Sequence, residues 1–123
     1  MEQLRVVLVD DEEEFSSALA ERLNLRGIVT KTAGSGAEAL VMIDADPPEV
    51  VVLDKLMPGL SGLELLARIR SKHPGIPVIL LTGHDSPELD DIQPDLKPFA
   101  FLVKPVDIDH LLKLIHSAAI ARG

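Results

Sequence analysis

Charged side chains stand directly after three apolar segments of this chain. They are the acidic pair Asp10-Asp11, the acid Asp54, and the base Lys104, which precedes Pro105. Three carboxylates and one ammonium that meet can hold a divalent cation and a phosphoryl group, because opposite charges then surround the negative oxygens. This chemistry is possible only if the three apolar segments end close together in the folded chain.

The pattern of apolar residues predicts the elements that would position these side chains. Strand-like apolar runs lie at 4–9, 28–32, 50–54, 78–82 and 99–103. Helical spacing and capping patterns predict helices over about 13–26, 35–46 and 61–72, and a last helix after Asp107. The run at 28–32 is the least apolar of the five, so we expect it at an edge of the sheet.

This alternation of strands and helices predicts the fold class. It is typical of an α/β fold, a doubly wound five-stranded parallel sheet with helices on both faces. Ligands of such sheets bind beyond the carboxyl ends of the strands. The polar residues at the carboxyl ends of the predicted strands are Asp10, Asp11, Asp54, Thr82 and Lys104. We therefore expect these side chains to meet at one edge of the sheet.

Composition limits the classes of function. A length of 123 residues with 46% hydrophobic residues predicts one domain with a single core. The net charge of −8 argues against direct binding of nucleic acid, which requires a basic surface. The chain has no cysteine, which excludes disulfides and thiolate metal sites. No signal peptide and no apolar run of about 20 residues is present, so we expect a cytoplasmic protein without a membrane partner.

Taken together, these residues resemble a known family. The chain is similar to the receiver domain of bacterial two-component response regulators over essentially its whole length. The resemblance is carried by the acidic pair Asp10-Asp11, Asp54, the turn Met57-Pro58-Gly59 with Gly62, Thr82-Gly83, and Lys104-Pro105. It implies the strand order 2-1-3-4-5 and a cis peptide bond before Pro105. We expect a single receiver domain over 1–123, with no output domain in this chain.

The resemblance also implies a function. Asp54 would accept a phosphoryl group from a sensor histidine kinase or a phosphotransfer protein, while Lys104 and Thr82 contact phosphoryl oxygens. The implied ligands of Mg²⁺, or of Mn²⁺, are Asp10, Asp11, Asp54 and the backbone carbonyl of Leu56. Such a domain catalyses only its own phosphorylation and dephosphorylation, so it is a signalling module in a phosphorelay rather than an enzyme acting on a metabolite.

Three further residues are given roles by the resemblance. Phe101 would turn inward when Thr82 moves toward the phosphoryl group, and this would change the affinity for a downstream partner. A simple core role for Phe101 is the alternative. Leu56 and His84 would adjust the phosphate lifetime: Leu56 cannot orient a water molecule, whereas His84 can.

The segment between Thr82 and Phe99 departs from the family pattern. Ser86-Pro87 predicts the start of a fourth helix, but Pro94 would fall inside it and remove a hydrogen bond. We therefore predict that this fourth helix is short or broken.

Two other functions remain open from the sequence. One is a hydrolase that forms an aspartyl phosphate, although Leu56 then stands where a second carboxylate would be needed as general acid. The other is a receiver-like binding module that works without phosphate. The presence of Asp54, Thr82 and Lys104 argues against this second alternative.

Overall fold

A five-stranded, wholly parallel sheet forms the centre of the chain in a computed structural model that describes residues 3–54, 62–83 and 98–122. The strands are β1 (Arg5–Val9), β2 (Val29–Ala33), β3 (Val50–Asp54), β4 (Val78–Thr82) and β5 (Ala100–Val103). The helices are α1 (Glu13–Leu25), α2 (Gly36–Ala45), α3 (Gly62–Lys72) and α4 (Ile108–Arg122). The strand order is β2-β1-β3-β4-β5, so the predicted fold class and strand order are confirmed.

Differences from the predicted elements are confined to their ends and to one segment. Strands β1, β2 and β5 each begin one residue later than predicted, at Arg5, Val29 and Ala100, and β2 continues to Ala33. The predicted broken fourth helix lies outside the described residues, and α4 here is the helix predicted after Asp107. None of the helices in the described ranges is long and apolar enough to span a bilayer.

Each face of the sheet carries its own apolar layer. Helices α1 and α4 cover one face and contribute Leu23, Leu111 and Ile115 to its core. Helices α2 and α3 cover the other face with Ile43, Leu66 and Ile69. Strands β3 and β4 are buried along their whole length, because helices pack on both of their faces. This explains why their sequences are continuous apolar runs rather than alternating ones.

The capping residues predicted from the sequence fix the starts of two helices. The Ser35 hydroxyl accepts a hydrogen bond from the Glu38 N–H at 3.1 Å, and the Glu38 carboxylate accepts one from the Gly34 N–H at 3.1 Å. At α4, the Asp107 carboxylate accepts the N–H of Asp109 at 2.9 Å. Side-chain oxygens thus satisfy N–H groups that have no partner within the first helical turn.

A side chain of α1 makes hydrogen bonds to the free outer edge of β2. The Asn24 side chain, near the end of α1, accepts the Thr30 N–H at 2.9 Å and donates to the Thr30 carbonyl at 3.3 Å. A single amide therefore makes the two hydrogen bonds that a neighbouring strand would otherwise make. This protects one residue of an edge strand, which is the part of a sheet most prone to pair with another chain.

Replacing Asn24 with alanine tests this role. We expect Asn24→Ala to lower the free energy of unfolding by about 1–2 kcal/mol, because two hydrogen bonds are lost while alanine favours the helix. Urea denaturation measures this change, and analytical ultracentrifugation should show more self-association at high protein concentration. Glu21→Ala, on the exposed face of the same helix, is the control. Equal stability of the two variants would contradict the assigned role.

Candidate functional site

The parallel sheet brings four of the predicted residues to one edge. Asp54 and Thr82 are the last residues of β3 and β4, whereas Asp10 and Lys104 directly follow β1 and β5. Because β1 pairs with β3, β3 with β4 and β4 with β5 in parallel, the carboxyl ends of all four strands lie side by side. The predicted convergence of these side chains is therefore a direct consequence of the topology.

The ammonium of Lys104 is at the centre of this group. Its Nζ lies 3.3 Å from an oxygen of Asp54, 3.5 Å from an oxygen of Asp10 and 3.7 Å from an oxygen of Glu12. The backbone N–H of Lys104 donates to the Thr82 carbonyl at 2.8 Å, which holds the start of this loop against β4. The peptide bond between Lys104 and Pro105 is cis, as the resemblance implies.

These surroundings keep Lys104 charged. Burial by itself lowers the pKa of the Lys104 ammonium, but the charges of Asp54 and Asp10 outweigh it, and the net pKa is raised. A raised pKa stabilises the fold at every pH below the unfolded value of about 10.4, and this stabilisation disappears only as the pH rises through the folded value. The ammonium is therefore fully charged at neutral pH.

The carboxylates form an acidic group that one lysine does not neutralise. Oxygens of Asp10, Glu12 and Asp54 all lie within 4.8 Å of one another. Asp10 and Asp54 are only 1% and 5% exposed, whereas Glu12 is exposed. Two buried carboxylates beside one ammonium retain negative charge, and oxygen ligands of this kind are those that Mg²⁺ prefers. These residues thus fit a divalent cation.

The acidic group differs in one member from the predicted metal ligands. Asp11 is exposed, and its oxygens are not part of the group that Asp10, Glu12 and Asp54 form among the described residues. Glu12 was not singled out from the sequence. Its N–H donates to an oxygen of Asp10 at 2.9 Å, and this contact turns the chain so that Glu12 approaches Lys104. The sequence feature that could have identified Glu12 is its position in the acidic run that follows β1.

The remaining predicted residues have different surroundings. Thr82 is completely buried, and its hydroxyl has no hydrogen-bond partner among the residues that the structure describes. Phe101 is 37% exposed, so it is not a core residue in this structure. Leu56, His84 and the turn 57–59 lie outside the described residues, and their predicted roles stay predictions.

The hydroxyl of Thr82 lies at the same sheet edge as Asp54. A buried hydroxyl without a partner costs about 1–3 kcal/mol of stability. A phosphoryl group on Asp54 would supply oxygens as acceptors for this hydroxyl. The donor set at this edge therefore fits a phosphoryl group as well as a cation.

The cost of this hydroxyl can be measured by removing it. We expect Thr82→Val, which keeps the branched shape, to raise the free energy of unfolding by about 1–2 kcal/mol in the absence of phosphate. Chemical denaturation measures this change.

Thr30→Val is the matched control, because the buried Thr30 hydroxyl donates to the Ile28 carbonyl at 3.1 Å. This control should lose about 0.5–1.5 kcal/mol. A loss of stability in Thr82→Val equal to that in Thr30→Val would show that the Thr82 hydroxyl has a partner.

Comparison with known proteins identifies the family. The sequence model of the response regulator receiver domain matches residues 6–116. The chain is 35% identical over 109 residues to the response regulator MprA of Mycobacterium ulcerans, covering 89% of this chain and 47% of that protein. It is 34% identical over 113 residues to the DNA-binding transcriptional regulator NtrC of Escherichia coli strain K12, covering 92% of this chain and 24% of that protein. The chain thus spans less than half the length of these regulators.

Solved structures agree with the sequence comparison. A response regulator receiver domain protein from Clostridium thermocellum has a TM-score of 0.88 and 30% identity, covering 97% of this chain and 96% of that one. A CheY-like receiver domain protein from Methanospirillum hungatei has a TM-score of 0.91 and 25% identity, covering 98% and 97%. This chain therefore belongs to the family of response regulator receiver domains, the signalling modules of two-component systems.

Proposed function

We propose that this receiver domain accepts a phosphoryl group on Asp54 from the phosphohistidine of a sensor histidine kinase or a phosphotransfer protein, in the cytoplasm. The observation that carries the proposal is the contact of the Lys104 ammonium with a buried Asp54, at a sheet edge that also holds an acidic group that fits a cation and a Thr82 hydroxyl without a hydrogen-bond partner among the described residues. We also propose that residues 1–123 form a single receiver domain.

The reaction forms one bond and breaks another. A carboxylate oxygen of Asp54 forms a bond to phosphorus while the bond between phosphorus and the histidine nitrogen breaks, and the freed imidazole takes up a proton. A bound Mg²⁺ or Mn²⁺ would reduce the repulsion between the carboxylate and the phosphoryl oxygens. Its proposed ligands are Asp10, Asp11, Asp54 and the backbone carbonyl of Leu56.

Lys104 and Thr82 stabilise the transferred group. The transition state spreads negative charge over three phosphoryl oxygens, so fixed positive charge and hydrogen-bond donors lower its energy. Lys104 already contacts the attacking carboxylate at 3.3 Å, and it needs to move only a short distance to contact a phosphoryl oxygen. The Thr82 hydroxyl donates to another oxygen and gains the partner that it lacks among the described residues.

The signal leaves the site through Thr82 and Phe101. These residues lie on neighbouring strands, where Thr82 pairs with Val103 and Leu80 pairs with Phe101. When Thr82 moves toward the phosphoryl group, it makes room for Phe101, whose partly exposed ring turns inward. The outer surface at β5 then changes its affinity for an output partner, while Leu56 and His84 adjust how long the phosphate persists.

Incubation with acetyl phosphate and Mg²⁺ tests phosphoryl transfer. We expect intact-mass spectrometry to show a gain of one phosphoryl group, because the small donor requires only the groups that this chain supplies. Asp54→Asn should show no gain, whereas Asp109→Asn, an exposed aspartate on α4, should behave as the native chain. No gain in the native chain would contradict the proposal and favour a binding module that works without phosphate.

Cation binding is tested separately by thermal or urea unfolding. A cation that binds only the folded chain raises the free energy of unfolding by about 1.4 kcal/mol at ten times its dissociation constant. We expect this increase with Mg²⁺ and with Mn²⁺, and its loss in Asp10→Asn.

Lys104→Met sharpens the cation test. In the native chain the ammonium competes for the carboxylates of Asp10 and Asp54. Its removal should therefore tighten Mg²⁺ binding, although it abolishes the contact with phosphate. Weaker Mg²⁺ binding in Lys104→Met would show that the cation and the ammonium do not share these carboxylates.

A further inference from the structure

The ring of Phe15 lies beside the Lys104 ammonium. Lys104 Nζ is 4.7 Å from the centroid of the ring, within the distance at which a cation is attracted to an aromatic face. Phe15 belongs to the first turn of α1 and is partly buried, and it packs against the apolar layer formed with α1 and α4.

We propose that Phe15 is a positioning residue that holds the Lys104 ammonium at the phosphoryl site by a cation–π contact during transfer to Asp54. The proposal rests on the proposed function, because it concerns the same reaction. Lysine has a long flexible side chain, and a contact that restricts it reduces the entropy lost when it binds a phosphoryl oxygen.

The ring differs from the other contacts of Lys104 because the reaction does not use it. Asp10 and Asp54 hold the ammonium in this structure, but both are proposed cation ligands and Asp54 is also the nucleophile. Glu12 is exposed, and an ion pair with an exposed partner is weak. The Phe15 ring is neither a ligand of the divalent cation nor an acceptor of the phosphoryl group. Its contact with Lys104 therefore persists when the carboxylates are occupied.

The backbone fixes the ring relative to the site. The Glu12 N–H donates to Asp10 at 2.9 Å, and the Ser16 N–H donates to the Glu12 carbonyl at 2.9 Å. The first turn of α1 is therefore tied to the residue that follows β1. The apolar packing of Phe15 on the core restricts its ring, so the ring cannot leave Lys104 without losing this packing.

A series of fluorinated phenylalanines at position 15 tests the contact while preserving size and fold. Each fluorine withdraws electron density from the ring face and weakens its attraction for a cation. We expect the rate constant of phosphorylation by acetyl phosphate with Mg²⁺ to fall stepwise with the number of fluorines, by about two- to fivefold in total. The same series at Phe99, which is 37% exposed and lies outside the site, is the control and should leave the rate unchanged.

Nuclear magnetic resonance provides a readout that does not require phosphorylation. Protons on the Lys104 carbon next to the ammonium should be shifted upfield by the ring, both without and with Mg²⁺. Phe15→Leu, which keeps apolar packing, should abolish this shift and slow phosphorylation, and Phe15→Tyr should retain both.

The outcomes separate this inference from the proposed function. If Asp54 is phosphorylated at the same rate throughout the fluorinated series, or the upfield shift disappears on adding Mg²⁺, the role of Phe15 is refuted. If the native chain gains no phosphoryl group, the proposed function fails instead. The Lys104 shift with and without Mg²⁺ then decides by itself whether Phe15 holds the ammonium.

Discussion

The contact of one ammonium with two buried carboxylates is the interaction on which this sheet edge depends. Asp10 and Asp54 are almost completely buried, and an uncompensated charge in such a position is strongly destabilising. Lys104, which is 94 residues from Asp10 in the sequence, compensates part of this charge. One ammonium thus faces two buried carboxylates, whose oxygens fit a divalent cation.

The sheet makes this arrangement rigid where the chemistry needs it. Strands β3 and β4, which end in Asp54 and Thr82, are buried on both faces between two helical layers. Their ends are therefore held by the core, whereas Lys104 and Glu12 lie on the connections that follow β5 and β1 and carry their charges on longer side chains. A fixed carboxylate beside an ammonium on a long side chain would suit the proposed transfer, in which Lys104 exchanges a carboxylate oxygen for a phosphoryl oxygen.

The apolar runs predicted β3 and β4 to the residue, because strands buried on both faces are continuously apolar, whereas the partly exposed β2 was placed only approximately. Asp10, Asp54, Thr82 and Lys104 could be placed together because parallel topology aligns strand ends. Glu12 could not be predicted in this way, since its approach to Lys104 depends on a backbone hydrogen bond to Asp10. The contact between Phe15 and Lys104 could not be predicted either, because Phe15 also fits the apolar face of a helix. Only the three-dimensional packing shows that the Lys104 ammonium lies over its ring.

The hydroxyl of Thr82 indicates how much free energy the proposed switch has available. A buried hydroxyl without a partner costs about 1–3 kcal/mol, and the bond to a phosphoryl oxygen would recover an amount of this size. That range shifts a two-state equilibrium by about 5- to 150-fold, which is typical of coupling between two sites. A nearly complete switch requires about 5.5 kcal/mol, so Thr82 alone is insufficient. In the proposed reaction the Lys104 ammonium also exchanges a carboxylate oxygen for a phosphoryl oxygen, so the contacts that orient Lys104 would affect the signal as well as the chemistry.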